Sequence, residues 1–147
     1  VLEFNARFGD PETEAVLPRL SGELIPALQA CIDGTLNDAL IKVRPEVAAT
    51  VIMAAGGYPG SYKKGMPIFG LEEAMKLSDC MVFHAGTSLK DGRVITAGGR
   101  VLAVTALGAD LKTAVGRAYE AVAKIRFEGA HYRKDIAHRA FGRENTR

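Results

Sequence analysis

Gly98-Gly-Arg-Val-Leu-Ala-Val-Thr-Ala106 is the stretch whose reading decides the fold. After the glycine pair, Val101, Ala103 and Thr105 alternate with Leu102 and Val104, so both faces of an extended chain are apolar. A strand of that kind is covered on both sides, and Arg100 to Ala106 is expected at the centre of a sheet. The cover follows directly. Asp110 is placed to cap a helix, and Leu111, Val115, Ala118, Val122 and Ile125 recur at helical spacing behind it.

Working outward, Glu46 to Ala55 is rich in Val, Ala, Thr and Ile without a polar helical face, and reads as a second buried strand. Gly56 to Gly70 carries glycines, prolines, two tyrosines and Lys63-Lys64, which predicts a long loop. Leu71 to Leu77 predicts a short helix. Cys80 to Ala85 predicts a strand that turns at Lys90-Asp91-Gly92 and pairs with Arg93 to Thr96 as a hairpin. Beyond the long helix, Phe127 to Phe141 reads as an extended piece around Tyr132 with a short helical end, and Gly142 to Arg147 as a frayed tail.

Toward the N-terminus, Leu17, Leu20, Leu24, Leu28 and Cys31 keep helical spacing up to a C-cap at Asp33-Gly34. Pro18, Gly22 and Pro26 divide that helix near Ser21-Gly22. A short helical turn is expected around Leu36, Ala39 and Leu40, ending at Arg44-Pro45. Asp10-Pro11 reads as the start of the first helix, near Glu12, with Asp10 as its N-cap. In front of it Leu2, Phe4, Ala6 and Phe8 alternate with Glu3, Asn5 and Arg7, the pattern of a half-buried strand. A carboxylate, an amide oxygen and a guanidinium then share one face. Such a row suits a divalent ion and a phosphate, or is simply the wet face of an edge strand.

At 147 residues the chain has room for one ordinary domain. Its 48% apolar and 24% charged residues are those of a globular protein, and a net charge of +2 makes no case for nucleic acid. Cys31 and Cys80 form no Cys-x-x-Cys pair and read as structural thiols in a reducing compartment. No run is long and apolar enough for a membrane span and no secretory pattern is present, so a soluble cytoplasmic protein is expected. The chain opens without methionine inside a strand pattern, and is expected to be the C-terminal part of a longer polypeptide.

Glu3-Phe-Asn5-Ala-Arg7-Phe-Gly-Asp-Pro-Glu-Thr13 resembles the signature of the glycinamide ribonucleotide synthetases (phosphoribosylamine–glycine ligases), purine-biosynthesis enzymes of the ATP-grasp superfamily. Gly57-Tyr-Pro-Gly-Ser-Tyr-Lys-Lys-Gly65, Phe83-His-Ala-Gly-Thr87, Gly98 to Thr105 and Phe127-Glu-Gly-Ala-His-Tyr-Arg-Lys-Asp-Ile136 resemble that family in the same order. The resemblance implies an α+β chain in two parts. Residues 1–44 would end an ATP-grasp domain with a strand and helices, and residues 45–147 would form a small C-terminal domain with an antiparallel sheet covered by helices. It also implies upstream substrate- and ATP-binding regions in the same polypeptide, with ATP, glycine and 5-phosphoribosylamine as ligands.

By the same resemblance, Glu3 and Asn5 are ligands of Mg²⁺ or Mn²⁺, and Arg7 steadies the phosphate or acyl-phosphate intermediate. Arg100, next to two glycines that permit close backbone approach, either clamps a substrate anion or makes a surface ion pair. Arg133 and Lys134 either contact phosphate or, with Asp135, form an internal salt link. Tyr58, Tyr62, Lys63 and Lys64 of the Gly57 to Gly65 loop either meet a phosphorylated substrate or belong to a mobile surface loop with solvated lysines, and the spacing is not that of a P-loop. Asp10 is read as mainly structural, and His84 as a core histidine. Rival readings are a sister ATP-grasp carboxylate–amine ligase and a non-catalytic domain that binds a phosphorylated ligand or a partner.

Overall fold

The computed structural model describes residues 6–38 and 40–141. Glu3 and Asn5, and with them most of the opening strand pattern, lie outside the described residues, as do Ala39 and the tail from 142. The elements in order are α1 (Thr13–Val16), a 3-10 turn (Leu17–Arg19), α2 (Leu24–Asp33), β1 (Val47–Ala54), α3 (Leu71–Met75), β2 (Cys80–His84), β3 (Thr87–Lys90), β4 (Arg93–Thr96), β5 (Arg100–Gly108), α4 (Leu111–Lys124) and α5 (His138–Phe141).

The expected central strand is central. β5 lies between β1 and β2 in an antiparallel three-stranded sheet, with Thr50 opposite Thr105, Ala54 opposite Arg100 and His84 opposite Leu102. Val101 through Gly108 are buried without a break, because both faces are covered. On one face Val51, Met53, Leu102 and Val104 cluster with Ala118, Ala121 and Val122 of α4. Asp110 begins that helix as read, its Oδ1 accepting from the Thr113 N–H at 2.7 Å, and this bond holds the carboxyl below the usual carboxylate range.

Thr105 alternates with Val104, so its hydroxyl stands on the opposite face. It lies 2.8 Å from the Thr50 hydroxyl across the strand pair and donates to the Glu14 carbonyl of α1 at 2.9 Å. A buried hydroxyl needs such partners, and here they pin the N-terminal segment to the sheet. Farther along, Arg19 Nε donates to the Glu46 carbonyl, and Leu20 pairs with Val43 as residues 40–44 double back.

Several expectations are corrected. Ala6 and Arg7 form a bend and Phe8 has no regular structure, so the described end of the opening stretch is not strand. Asp10 caps nothing: Glu12 holds the N-cap position of α1 without a side-chain bond, and the Asp10 carboxylate turns to Arg100 instead. The helix does divide where Gly22 interrupts it, and α2 ends on Gly34 in the left-handed region at φ 68°. Between Leu36 and Leu40 no helix is formed among the described residues, only a single turn in which Leu40 N donates to the Asn37 carbonyl at 3.2 Å.

The hairpin expectation paired the wrong strands. Asp91 and Gly92, with φ of 49° and 73°, do make a two-residue turn of the kind that suits strand twist, but it joins β3 to β4 in a separate ribbon. β2 pairs with β5 instead. His84 is exposed rather than in the core, its Nδ1 2.9 Å from the Thr87 hydroxyl. Cys31 is exposed, whereas Cys80 is half-buried and burial pushes its thiol pKa up. No helix among the described residues is long and apolar enough to cross a membrane.

Candidate functional site

The antiparallel register brings the C-terminal ends of β1 and β2 and the N-terminal end of β5 to one corner of the sheet. The peptides there pack closely. Ala55 N donates to the Gly99 carbonyl at 2.8 Å, Gly86 N to the Arg100 carbonyl at 2.8 Å, and Gly98 N to the Gly86 carbonyl at 3.0 Å. A Cβ on Gly86 would stand 2.6 Å from Gly98 Cα and 2.5 Å from the Arg100 carbonyl oxygen, so only glycine fits.

Gly99 admits a side chain rather than a peptide: the Tyr58 ring occupies the place its Cβ would take. That seats the start of the glycine-rich loop against the start of β5. Tyr62 meets Tyr58 edge-on with centroids 6.1 Å apart, and Lys64 Nζ lies 5.9 Å from the Tyr62 ring centre. The loop returns beside β4 through Thr96, whose N–H donates to the Met66 carbonyl at 2.9 Å while its carbonyl accepts from Gly65 N at 2.7 Å and its hydroxyl from Met66 N at 3.1 Å. On its other side His131 and Ala54 exchange N–H···O bonds of 2.8 and 3.0 Å, which carries Glu128-Gly129 against Gly56. Gly56, Ser61, Tyr62, Lys63 and Gly129 border a cleft of about 420 Å³, within the range of small-ligand sites.

Arg100 projects from this corner. Its Nη1 donates to the Asp10 carbonyl at 3.0 Å and its Nη2 to the Asp10 carboxylate at 3.2 Å, with both side chains substantially exposed. The opening segment is thereby brought to the same corner as the other four stretches singled out by sequence. Arg7 is exposed, and its Nη1 donates to the adjacent Phe8 carbonyl at 2.8 Å.

Arg133 is held elsewhere. Its Nε and Nη2 form a two-pronged pair with the Asp135 carboxylate at 2.9 and 2.7 Å, and Tyr119 donates to its carbonyl at 2.8 Å. The guanidinium holds the Asp135 carboxyl down at about 2, and the carboxylate in turn raises the Arg133 pKa. Lys134 lies between the two and is exposed.

Sequence reasoning read Asp10 as a cap and Tyr58 as a loop residue that could meet a phosphorylated substrate, and missed the partner of each. Neither carries a local signal of its partner: Asp10-Pro11 looks like a helix start, and Tyr58 belongs to a loop whose neighbours only folding supplies. The glycine pair at Gly98-Gly99 was the available sign that something approaches closely. Among the described residues no group of three or more His, Cys, Asp or Glu is arranged to hold a metal ion.

The fold and corner define a class: an α+β domain built on an antiparallel sheet, with a glycine-packed corner that presents a guanidinium beside a lysine-bearing loop. Residues 48–139 match the family described as phosphoribosylglycinamide synthetase, C domain, and the chain belongs to that family. A phosphoribosylamine–glycine ligase of Synechocystis is 55% identical over 95% of this chain and 33% of its own length. The trifunctional purine biosynthetic protein adenosine-3 of Gallus gallus is 52% identical over 95% of this chain and 14% of its own. The crystal structure of phosphoribosylamine–glycine ligase from Thermotoga maritima superposes with a TM-score of 0.77 at 38% identity, over 93% of this chain and 33% of that one. The chain thus spans about a third of the length of the single-function ligases it matches.

Proposed function

We propose that this chain serves as the C-terminal part of a phosphoribosylamine–glycine ligase, residues 1–44 ending the ATP-grasp domain and residues 45–147 forming the C-terminal domain. The observation that carries this reading is convergence: five stretches far apart in sequence, each resembling that enzyme, meet at one sheet corner through Asp10, Tyr58, Gly86, Arg100 and His131.

The reaction joins glycine to 5-phosphoribosylamine at the expense of ATP. A glycine carboxylate oxygen takes the γ-phosphoryl group and ADP departs, leaving glycyl phosphate. The phosphoribosylamine nitrogen then attacks the acyl carbon, phosphate leaves and a proton is lost, giving glycinamide ribonucleotide. Negative charge gathers on the transferring group, and fixed cations aimed at it lower the barrier. Arg7 supplies one such cation. Arg100 binds the phosphorylated amine; Lys134 is a further anion contact, and so is Arg133 through the Nη1 that its two-pronged pair with Asp135 does not use. Glu3 and Asn5 offer the oxygen donors that Mg²⁺ or Mn²⁺ takes, and a bound ion there would offset charge on the phosphates.

The test is substrate dependence in the complete ligase polypeptide. ADP release should require glycine and 5-phosphoribosylamine together, and Glu3→Ala or Asn5→Ala should abolish it with the fold intact. Equal turnover with a different amine acceptor would move the chain to a sister ligase, and near-normal turnover of both variants at saturating Mg²⁺ would remove the metal assignment.

A further inference from the structure

We infer that Asp10 is a positioning residue for the phosphoribosylamine site: it orients Arg100 and so ties substrate binding to the opening segment. The inference rests on the reading of Arg100 as a substrate contact.

A free arginine side chain samples many rotamers, and its guanidinium recognises a phosphate well only when the donor fork is aimed in advance. Arg100 is aimed. Asp10 takes its Nη1 through the backbone carbonyl and its Nη2 through the carboxylate, so two points fix the plane of the group. Two of the five guanidinium N–H donors are accounted for in this way, which leaves donors for an anion while the orientation is kept. At the other end Arg100 is the first residue of β5, with its carbonyl bonded to Gly86 N and the preceding peptide bonded to Ala55. The side chain therefore spans from the glycine-packed corner to the segment that carries Arg7.

Stability alone is a poor reason for this pair. It is exposed, with side-chain accessibilities of 38% and 52%, and exposed ion pairs add little to folding. Nor does Asp10 cap the helix it precedes. What the carboxylate does in this structure is hold Arg100.

The experiment is a double-mutant cycle on the complete ligase, reading KM for 5-phosphoribosylamine and kcat separately. Arg100→Ala should raise KM by about 10- to 100-fold, the effect of losing a charge-assisted contact. Asp10→Ala should raise KM by about tenfold with kcat within about twofold, since it misaims a binding group without removing it. The double variant should be no more than about twofold worse than Arg100→Ala, because Asp10 acts through Arg100. Asp10→Asn, which keeps the shape and an oxygen acceptor, should fall between wild type and Asp10→Ala. A merely structural Asp10 would lower the active fraction, and so kcat, with KM unmoved; that result overturns the inference. An unchanged KM in Asp10→Ala beside a raised KM in Arg100→Ala overturns it while sparing the substrate role of Arg100. An unchanged KM in Arg100→Ala removes that role and this inference with it.

Discussion

Arg100 and Asp10, 90 residues apart in sequence, are joined twice, by a 3.0 Å bond to the backbone carbonyl and a 3.2 Å bond to the carboxylate. The pair is exposed, so Arg100→Ala should cost the folded chain less than about 1 kcal/mol. Urea unfolding of the two proteins measures this directly. A loss of several kcal/mol would mean that the contact is a structural clamp, and any kinetic defect would then need reinterpretation.

Gly86→Ala should be worse than its size suggests. The added methyl meets the backbone of Gly98 and Arg100, which cannot swing aside as a side chain would. The expected cost is about 1–3 kcal/mol, as for other overpacked sites. Gly99→Ala meets the Tyr58 ring first, a side chain that can shift, so it should move the loop and cost less. Equal destabilisation of the two variants would argue against this picture of the corner.

Thr105→Val keeps shape but removes the hydroxyl that donates to the Glu14 carbonyl and faces Thr50. The loss of buried bonds should cost about 1–3 kcal/mol. It should also loosen α1 selectively. Amide exchange at Val16 should speed up more than exchange in α4, and parallel acceleration everywhere would refute a local docking role.

Asp135 titrates at about 2 in the folded chain because Arg133 holds its carboxylate; its ordinary value is 3.8. Between these values the unfolded chain takes up a proton that the folded chain refuses, so stability rises with pH there. The contribution is present above about pH 4 and fades as pH falls toward 2. Carboxyl chemical shifts followed against pH should give Asp135 a low midpoint, returned toward 3.8 in Arg133→Ala. A midpoint that Arg133→Ala does not move would exclude Arg133 as the cause.

The elements read correctly share one property: their cause is local. Val101 to Val104 are apolar on both faces, Asp110 sits three residues before the N–H it caps, and Asp91-Gly92 can adopt the left-handed turn alone. The errors share the opposite property. β2 stays with β5 through Ala85 and Gly86, whose N–H groups donate to the Val101 and Arg100 carbonyls, and the chain bends there before β3 pairs with β4; no spacing within Cys80 to Ala85 encodes it. Asp10 satisfied a cap pattern, yet a guanidinium 90 residues on claimed its carboxylate.

By itself the sequence determined the central strand, its covering helix, the long glycine-rich loop and the motifs that resemble one ligase family, because periodicity, capping and turn chemistry act over a few residues. Only the tertiary structure decided that those motifs share a corner, that Tyr58 sits on Gly99, that Arg133 is turned to Asp135 and that Arg100 is held by Asp10. Side-chain pairing depends on which groups the chain brings within about 3 Å of each other, and that is a property of the packed fold rather than of any one segment.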